Sequence, residues 1–122
     1  MNSILITGGC GFIGSNFIHH IMKIYKSINV VNLDKLTYAG NLMNLNSIID
    51  DRYHFIKGDI CDSALIKSLF NKYNFDVVVN FAAESHVDRS IDGPSQFIHT
   101  NIIGTFNLLE ESKKYYVKSK IK

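Results

Sequence analysis

The chain has 122 residues, of which 46% are hydrophobic and 20% charged, and its formal net charge is +2 at pH 7. This length is sufficient for one domain with a modest core, and the composition excludes a disordered or fibrous class. The small net charge gives no indication of nucleic-acid binding, and the apolar runs are far shorter than the roughly 20 residues that cross a bilayer. We therefore expect a globular protein that binds neither nucleic acid nor a membrane.

The start of the chain and its two cysteines predict a cytoplasmic protein. Met1 leads directly into the apolar run 4–6, without the basic flank and cleavage site of a signal peptide. Cys10 and Cys61 lie in unrelated contexts that lack the spacing of metal ligands, which argues against a zinc site and a disulfide framework. We expect two reduced thiols and no metal ion.

Short apolar runs alternate with segments of helical period, as in βαβ units around a parallel sheet. Strands are expected at residues 3–7, 28–34, 53–57 and 76–81. Helices are expected from Gly11 onward, around residues 42–49, from Asp62 or Ser63 to Tyr73, and in a long segment after Pro94. The inner face of this last helix is predicted to carry Phe97, Ile98, Ile102, Phe106 and Leu109.

Right-handed crossovers between four such strands give the doubly wound order 3-2-1-4 of a Rossmann-like α/β fold with flanking helices. The order reverses between the first and the fourth strand. A ligand is therefore expected in the crevice beyond the carboxyl ends of these two strands.

A glycine-rich segment follows the first strand directly. Residues 7–14 are TGGCGFIG, which satisfies GxGxxG at Gly9, Gly11 and Gly14, with Gly8 preceding it. Glycine is needed there for a tight turn, for the approach of the backbone to a diphosphate, and for contact between helix and strand. The helix start behind it offers unpaired N–H groups and a partial positive charge. The segment is predicted to bind the diphosphate of a dinucleotide.

Asp34 ends the second strand, where dinucleotide-binding folds carry the acid that accepts ribose hydroxyls. A carboxylate there repels a 2′-phosphate, which favours NAD over NADP. Its basic neighbour Lys35 weakens this inference, because an ammonium group tolerates the phosphate. Asp59 and Ile60 follow the third strand, where a contact with adenine and an ordinary Gly-Asp turn fit the spacing equally well.

The chain resembles the extended short-chain dehydrogenase/reductases, and within them the branch that dehydrates nucleotide sugars, through four stretches. These are residues 7–16, 34–41, 58–62 and 82–91, and the last of them, AAESHVDRSI, is close to a signature of that branch. The resemblance covers the whole chain. It implies NAD as the cofactor, dTDP-glucose as the substrate, and a lyase reaction that removes water to give a 4-keto-6-deoxy sugar.

The resemblance also implies cofactor contacts beyond the glycines. They are Phe12, Ile13, Asp34, Lys35, Leu36, Thr37, Asp59, Ile60, Phe81, Ala82, Ala83, Glu84, Ser85 and Thr100. Ser85 is further implied to face the sugar nucleotide. The roles of His86, Asp88 and Arg89 stay open between substrate contact and a solvated loop with weak ion pairs.

The resemblance places catalysis outside this segment. The family's Tyr-x-x-x-Lys pair and Thr-Asp-Glu run lie beyond a fifth strand, which residues 1–122 do not reach. Tyr116 and Lys120 match Tyr-x-x-x-Lys literally, but they end the helix before that strand, so we assign no catalytic residue. We interpret residues 1–122 as a truncated NAD-binding half-domain, inactive alone, whose uncovered fourth strand favours a homodimer or association with another chain.

Two other interpretations stay open. One is a stand-alone dinucleotide-binding module, or a subunit that pairs with another chain. The other is a fragment of a different extended reductase, such as a UDP-sugar epimerase, although the run 84–90, ESHVDRS, argues against the common epimerase pattern.

Overall fold

The computed structural model describes residues 2–120, with side chains up to Ser119. The described chain forms two compact units. The first, which we call the sheet unit, consists of residues 2–59 and 75–81. The second, the helical unit, consists of residues 60–74 and 82–120.

The sheet unit contains one parallel sheet of four strands in the order β3-β2-β1-β4. The strands are β1 (Ser3–Thr7), β2 (Asn29–Asp34), β3 (Tyr53–Lys57) and β4 (Val77–Asn80). Thr7 is in register with Leu33 on one side and with Asn80 on the other. The carboxyl ends of β1, β2 and β4 therefore lie side by side, and the predicted class and strand order are confirmed.

Helix α1 (Phe12–Ile24) packs its buried face on this sheet. Ile18, Ile21 and Met22 join Ile4 and Val30 in one apolar core. Burial of these side chains stabilises the unit by about 1.5–3 kcal/mol for each large one. The apolar stripe predicted for this helix is thus confirmed only in part, because Ile18 and Ile21 are buried whereas Phe12, Ile13 and Ile24 are more than half exposed.

The segment after β2 is less regular than its apolar spacing predicts. Its only helical turn is a 3₁₀ helix, Leu42–Leu45, in which the Asn41 side chain accepts a hydrogen bond from the Met43 N–H at 2.9 Å. Leu45 is buried, whereas Ile49 is 97% exposed. The predicted helix over 42–49 is therefore wrong beyond Leu45, because the polar residues that follow favour turns over a continued helix.

The helical unit begins with α2 (Ser63–Tyr73), which Asp62 caps by accepting the Leu65 N–H at 3.0 Å, as predicted. The later elements are α3 (Val87–Asp92), α4 (Pro94–Phe97), a π-helical segment (Ile98–Gly104) and α5 (Thr105–Lys120). Helices α2 and α5 pack together through the rings of Phe70 and Tyr115, whose centroids are 6.0 Å apart.

The predicted inner face of the last helix is wrong. Ile98, Ile102, Phe106 and Leu109 are each more than half exposed, and the buried positions are Gly104 and Leu108. The π-helical segment changes the number of residues per turn and rotates the face that follows it. A helical period identifies an apolar face, but it does not identify what covers that face.

Over residues 2–120, no helix combines the length and the hydrophobicity that crossing a bilayer requires. In the same part of the chain, no group of three or more His, Cys, Asp or Glu residues is arranged to hold a metal ion.

Candidate functional site

The glycine loop between β1 and α1 is held by the end of β2. The Gly8 N–H donates to the Leu33 carbonyl oxygen at 2.9 Å, and the Gly9 N–H donates to Asn32 Oδ1 at 3.1 Å. The Cys10 N–H donates to Asp34 Oδ2 at 2.8 Å. Consecutive N–H groups of the loop are thus satisfied by consecutive residues of β2. The loop is fixed before any ligand binds, which reduces the ordering cost of binding.

Three glycines of this loop are required by the chain itself: Gly9, where a Cβ would lie 2.6 Å from the buried side chains of Asn32 and Ile18, and Gly8 and Gly14, where the backbone sets the limit. Gly8 has a φ of 67°, a conformation that other residues adopt only with strain. A Cβ on Gly14 would lie 2.7 Å from Gly9 Cα and would overlap the carbonyl oxygen of Gly8. Helix α1 therefore starts in direct contact with the loop backbone, and glycine at these two positions permits the tight turn and the close packing.

Gly11 is different, because the described chain does not require a glycine there. Its φ of −75° and ψ of 175° are open to any residue. A Cβ would lie 3.4 Å from the Gly8 carbonyl oxygen and 4.0 Å from that of Ala39, which are ordinary contact distances. Close approach of a ligand to the backbone at this point would explain why residue 11 is a glycine.

The start of α1 is suited to a negatively charged group. Its N-cap, Gly11, makes no side-chain capping bond, and its first turn contains no acidic residue. The first N–H groups of a helix have no intrahelical acceptor and carry the positive end of the helix dipole. The Phe12 and Ile13 side chains beside them are 83% and 66% exposed. This arrangement is typical of phosphate sites.

Asp34 lies against the glycine loop, as the sequence predicts. Besides the Cys10 N–H, its carboxylate accepts the Leu36 N–H through Oδ1 at 2.8 Å, and the residue is 7% exposed. Leu36 has a φ of 58°, which turns the chain immediately after β2. A carboxylate offers about four lone-pair sites. Asp34 therefore retains acceptor capacity for ribose hydroxyls in addition to its two backbone donors.

Two further candidates form an ion pair next to Asp34. Lys35 Nζ lies 2.7 Å from Asp59 Oδ2, and the two side chains are 51% and 30% exposed. The Gly58 N–H donates to the Asp34 carbonyl oxygen at 3.0 Å, which fixes the end of β3 beside the end of β2. Of the other candidates in this segment, Leu36 is half-buried and Thr37 is exposed.

Phe81 continues the sheet edge beyond β4. Its N–H donates to the Thr7 carbonyl oxygen at 3.0 Å, and the Thr7 hydroxyl is hydrogen-bonded to Asn80. The Phe81 ring packs edge-on against Phe17 of α1, with the centroids 5.3 Å apart. Phe81 is therefore anchored in the sheet unit through both its backbone and its ring.

The remaining candidates lie in the helical unit, where Asn101 holds the backbone at Glu84. The Asn101 side chain accepts the Glu84 N–H at 2.9 Å and donates to the Glu84 carbonyl oxygen at 2.8 Å. Asn101 follows Thr100 in the π-helical segment. Ser85 and Ala83 are exposed, and Ala82 and Thr100 are partly buried. Ile60 is 4% exposed and packs against Gly104.

A buried polar network supports the glycine loop, and its central residue was missed by the sequence analysis. Asn32 Nδ2 donates to Tyr53 Oη at 2.9 Å and to Cys10 Sγ at 3.5 Å, while Asn32 Oδ1 holds the Gly9 N–H. Asn32 and Cys10 are fully buried. The available signal was a polar residue in an apolar strand, two positions before Asp34 and hence on the same face.

Burial, and then the negative charge of Asp34, raise the pKa of the Cys10 thiol to about 11. The ordinary pKa of a thiol is 9.0, so over the interval between these two values the folded chain keeps a proton that the unfolded chain has lost. The resulting stabilisation is present in full below the lower value and is lost as pH rises through the higher one.

We therefore expect the free energy of unfolding of the native chain, relative to that of Cys10→Ala, to decrease across this pH interval. Urea denaturation of both proteins at several pH values measures the difference. Cys61→Ala, which removes a thiol from the helical unit, is measured in parallel as the control. If the difference in the free energy of unfolding between the native chain and Cys10→Ala does not change with pH, the raised pKa of the Cys10 thiol is contradicted.

The sequence matches the family model for GDP-mannose 4,6 dehydratase over residues 5–122. The chain belongs to this family. The resemblance to nucleotide-sugar dehydratases, which was inferred from four short stretches, is thereby confirmed.

Individual members of the family are similar to nearly the whole chain. The dTDP-glucose 4,6-dehydratase of Salmonella typhimurium is 58% identical over 114 residues, which cover 93% of this chain and 31% of that protein. The structure of dTDP-glucose 4,6-dehydratase from Bacillus anthracis in complex with NAD has a TM-score of 0.83 and 44% identity, over 94% of this chain and 34% of that one.

A UDP-glucose 4-epimerase from Thermotoga maritima, solved with UDP-glucose, has a TM-score of 0.81 and 32% identity, over 93% of this chain and 34% of that one. Dehydratases and epimerases thus share the fold. The chain spans about a third of the length of the curated relatives that it matches.

Proposed function

We propose that this chain is the NAD-binding part of a nucleotide-sugar 4,6-dehydratase that acts on dTDP-glucose. The observation that carries the proposal is the hydrogen bond from the Cys10 N–H to Asp34, which joins the ribose-binding acid to the glycine loop and to the open start of α1. The identities support a dehydratase over an epimerase, since they are 58% and 44% for dehydratases and 32% for the epimerase.

In this proposal the sheet unit binds the adenosine diphosphate half of NAD. The diphosphate lies at Gly8, Gly11 and Gly14 and accepts the N–H groups of Phe12 and Ile13. The Asp34 carboxylate accepts the hydroxyls of the adenosine ribose. The following residues Lys35, Leu36 and Thr37 border this ribose, and Asp59 accepts the adenine amino group. Ile60, which belongs to the helical unit, is assigned to the adenine ring as well.

We assign contacts with the nicotinamide half to Phe81, Ala82, Ala83, Glu84, Ser85 and Thr100. Small side chains at Ala82 and Ala83 leave space for the nicotinamide ribose. Ser85 is assigned to the sugar substrate as well. The two hydrogen bonds between Asn101 and Glu84 fix the backbone of the loop that carries Ser85, so Asn101 acts as a positioning residue for that loop.

Hydride transfer to and from the sugar would be the chemistry that NAD supplies when bound, and the residues assigned above would only bind and orient the cofactor and the substrate. We assign no catalytic residue to this chain. Tyr116, one half of the literal Tyr-x-x-x-Lys match, is 57% exposed on α5. The side chain of the other half, Lys120, lies outside the described part of the structure.

The proposal extends to location and assembly. Within the described part of the chain, Cys10 and Cys61 are not joined by a disulfide bond, which fits a reducing compartment such as the cytoplasm. We place the NAD-binding domain over residues 1–122. Among the described strands β4 pairs with β1 alone, and we propose its other edge as the place where a further strand or a second copy of the chain associates.

Isothermal titration with NAD tests the function at its central residue. We expect the native chain to bind NAD and Asp34→Asn to bind it at least roughly tenfold more weakly, because a hydrogen bond to a charged group is worth about 1.5–3 kcal/mol. The matched control is Asp51→Asn, which removes the same charge from an exposed residue at the opposite, amino-terminal end of β3. Equal affinities of the native chain and Asp34→Asn would overturn the proposal.

A further inference from the structure

Lys35 and Asp59 form an ion pair at the end of β2, where dinucleotide-binding folds distinguish NAD from NADP. The role inferred for this pair depends on the function proposed above. An acid at the end of the second strand selects the free ribose of NAD, and a basic residue nearby accommodates the 2′-phosphate of NADP. This chain carries both types at consecutive positions, Asp34 and Lys35. Asp34 alone therefore does not decide the preference, and the position and partner of Lys35 do.

The structure shows how Lys35 is engaged. Its ammonium group lies 2.7 Å from Asp59 Oδ2. The backbone on either side of Lys35 is fixed, since the Asp34 carbonyl oxygen accepts the Gly58 N–H and the Asp34 carboxylate accepts the Leu36 N–H. These bonds keep the ends of β2 and β3 together. The ammonium group is thus placed where Asp59 neutralises it.

The charges of the three side chains sum to minus one, because Asp34 and Asp59 are acidic and Lys35 is basic. A 2′-phosphate brings about two further negative charges at neutral pH. It would lie beside Asp34 and next to Lys35, whose ammonium group is already paired with Asp59. We propose that Asp59 is a specificity-determining residue, which excludes NADP by neutralising Lys35.

The pair is accessible to solvent, which sets the size of the effect. The Lys35 and Asp59 side chains are 51% and 30% exposed, and exposed pairs of this kind contribute about 0.2–1 kcal/mol. Removal of the Asp59 charge should therefore raise the affinity for NADP relative to NAD by roughly 1.4- to fivefold. Asp59→Asn also weakens the proposed contact with adenine. This loss cancels in the ratio, because both dinucleotides carry the same adenine.

The test is a double-mutant cycle on the affinity ratio, with NAD and NADP titrated into the native chain, Asp59→Asn, Lys35→Met and the double variant. We expect Asp59→Asn to raise the NADP-to-NAD affinity ratio and the double variant to lose that gain. Asp51→Asn, which changes the net charge equally but lies before β3, should leave the ratio unchanged.

The outcomes separate this inference from the proposed function. A native chain that binds neither dinucleotide contradicts the proposed function. A native chain that prefers NAD, together with an unchanged ratio in Asp59→Asn, contradicts the role of Asp59 and leaves the function intact. A gain that persists in the double variant shows that Lys35 does not mediate the effect and also overturns the inference.

Discussion

Replacement of Gly11 by alanine is expected to abolish most NAD binding while the chain keeps its stability. The backbone of Gly11 already has a conformation open to alanine, and the nearest atom to an added Cβ is the Gly8 carbonyl oxygen at 3.4 Å. The chain therefore accepts the methyl group, at a cost of about 1 kcal/mol or less from the poorer N-cap. A diphosphate that approaches the loop backbone does not accept it.

The expected loss of affinity is roughly ten- to hundredfold, equivalent to one or more charge-assisted hydrogen bonds to the diphosphate. Calorimetric titration with NAD gives the affinity, and urea denaturation of the same preparation gives the stability. Binding of NAD by Gly11→Ala with native affinity would mean that the ligand does not approach the loop at this point.

Gly14→Ala is expected to have the opposite effect, because this substitution should lower the stability of the fold itself. The added Cβ would lie 2.7 Å from Gly9 Cα and overlap the Gly8 carbonyl oxygen. Both neighbours are backbone atoms, and the hydrogen bonds from Gly8 and Gly9 to β2 hold them in place. The helix and the loop have to separate, and because both neighbours are fixed backbone atoms, the cost lies at or above the upper end of the usual range of about 1–3 kcal/mol.

Urea denaturation monitored by circular dichroism measures this loss, and Gly11→Ala is the matched control, since it is the same substitution three positions earlier. Part of the cost is offset, because alanine is favoured over glycine inside a helix by about 1 kcal/mol. A Gly14→Ala protein as stable as Gly11→Ala would show that α1 does not begin in contact with the loop.

The sequence predicted those parts of the molecule that depend on local patterns. The alternation of apolar runs with helical segments led to the strand order β3-β2-β1-β4, and the glycine spacing located the loop that Asp34 contacts. Each of these signals is short-range, and the chirality of βαβ crossovers converts them into one topology. The Asp62 cap of α2 was predictable for the same reason.

Contacts between distant residues were not predictable. The side chains of Asn32 and Asn101 bond to backbone groups 23 and 17 positions away, respectively, and nothing in the local sequence indicates such partners. The pairing of Lys35 with Asp59 depends on the register of β2 with β3, which positions Asp34 opposite Lys57. The exposed apolar residues of the last helix were assigned to a buried face, because their helical spacing shows which face is hydrophobic. It does not show whether another element covers that face.

Binding at the glycine loop is tested most directly by two-dimensional ¹H–¹⁵N NMR of the isotopically labelled chain while NAD is added. The Gly11, Phe12 and Ile13 amides are expected to shift with the titration. The Leu65 amide should stay unchanged, because the start of α2 is already capped by Asp62. Saturable binding of NAD without shifts at residues 11–13 would contradict the claim that the glycine loop and the start of α1 receive the diphosphate.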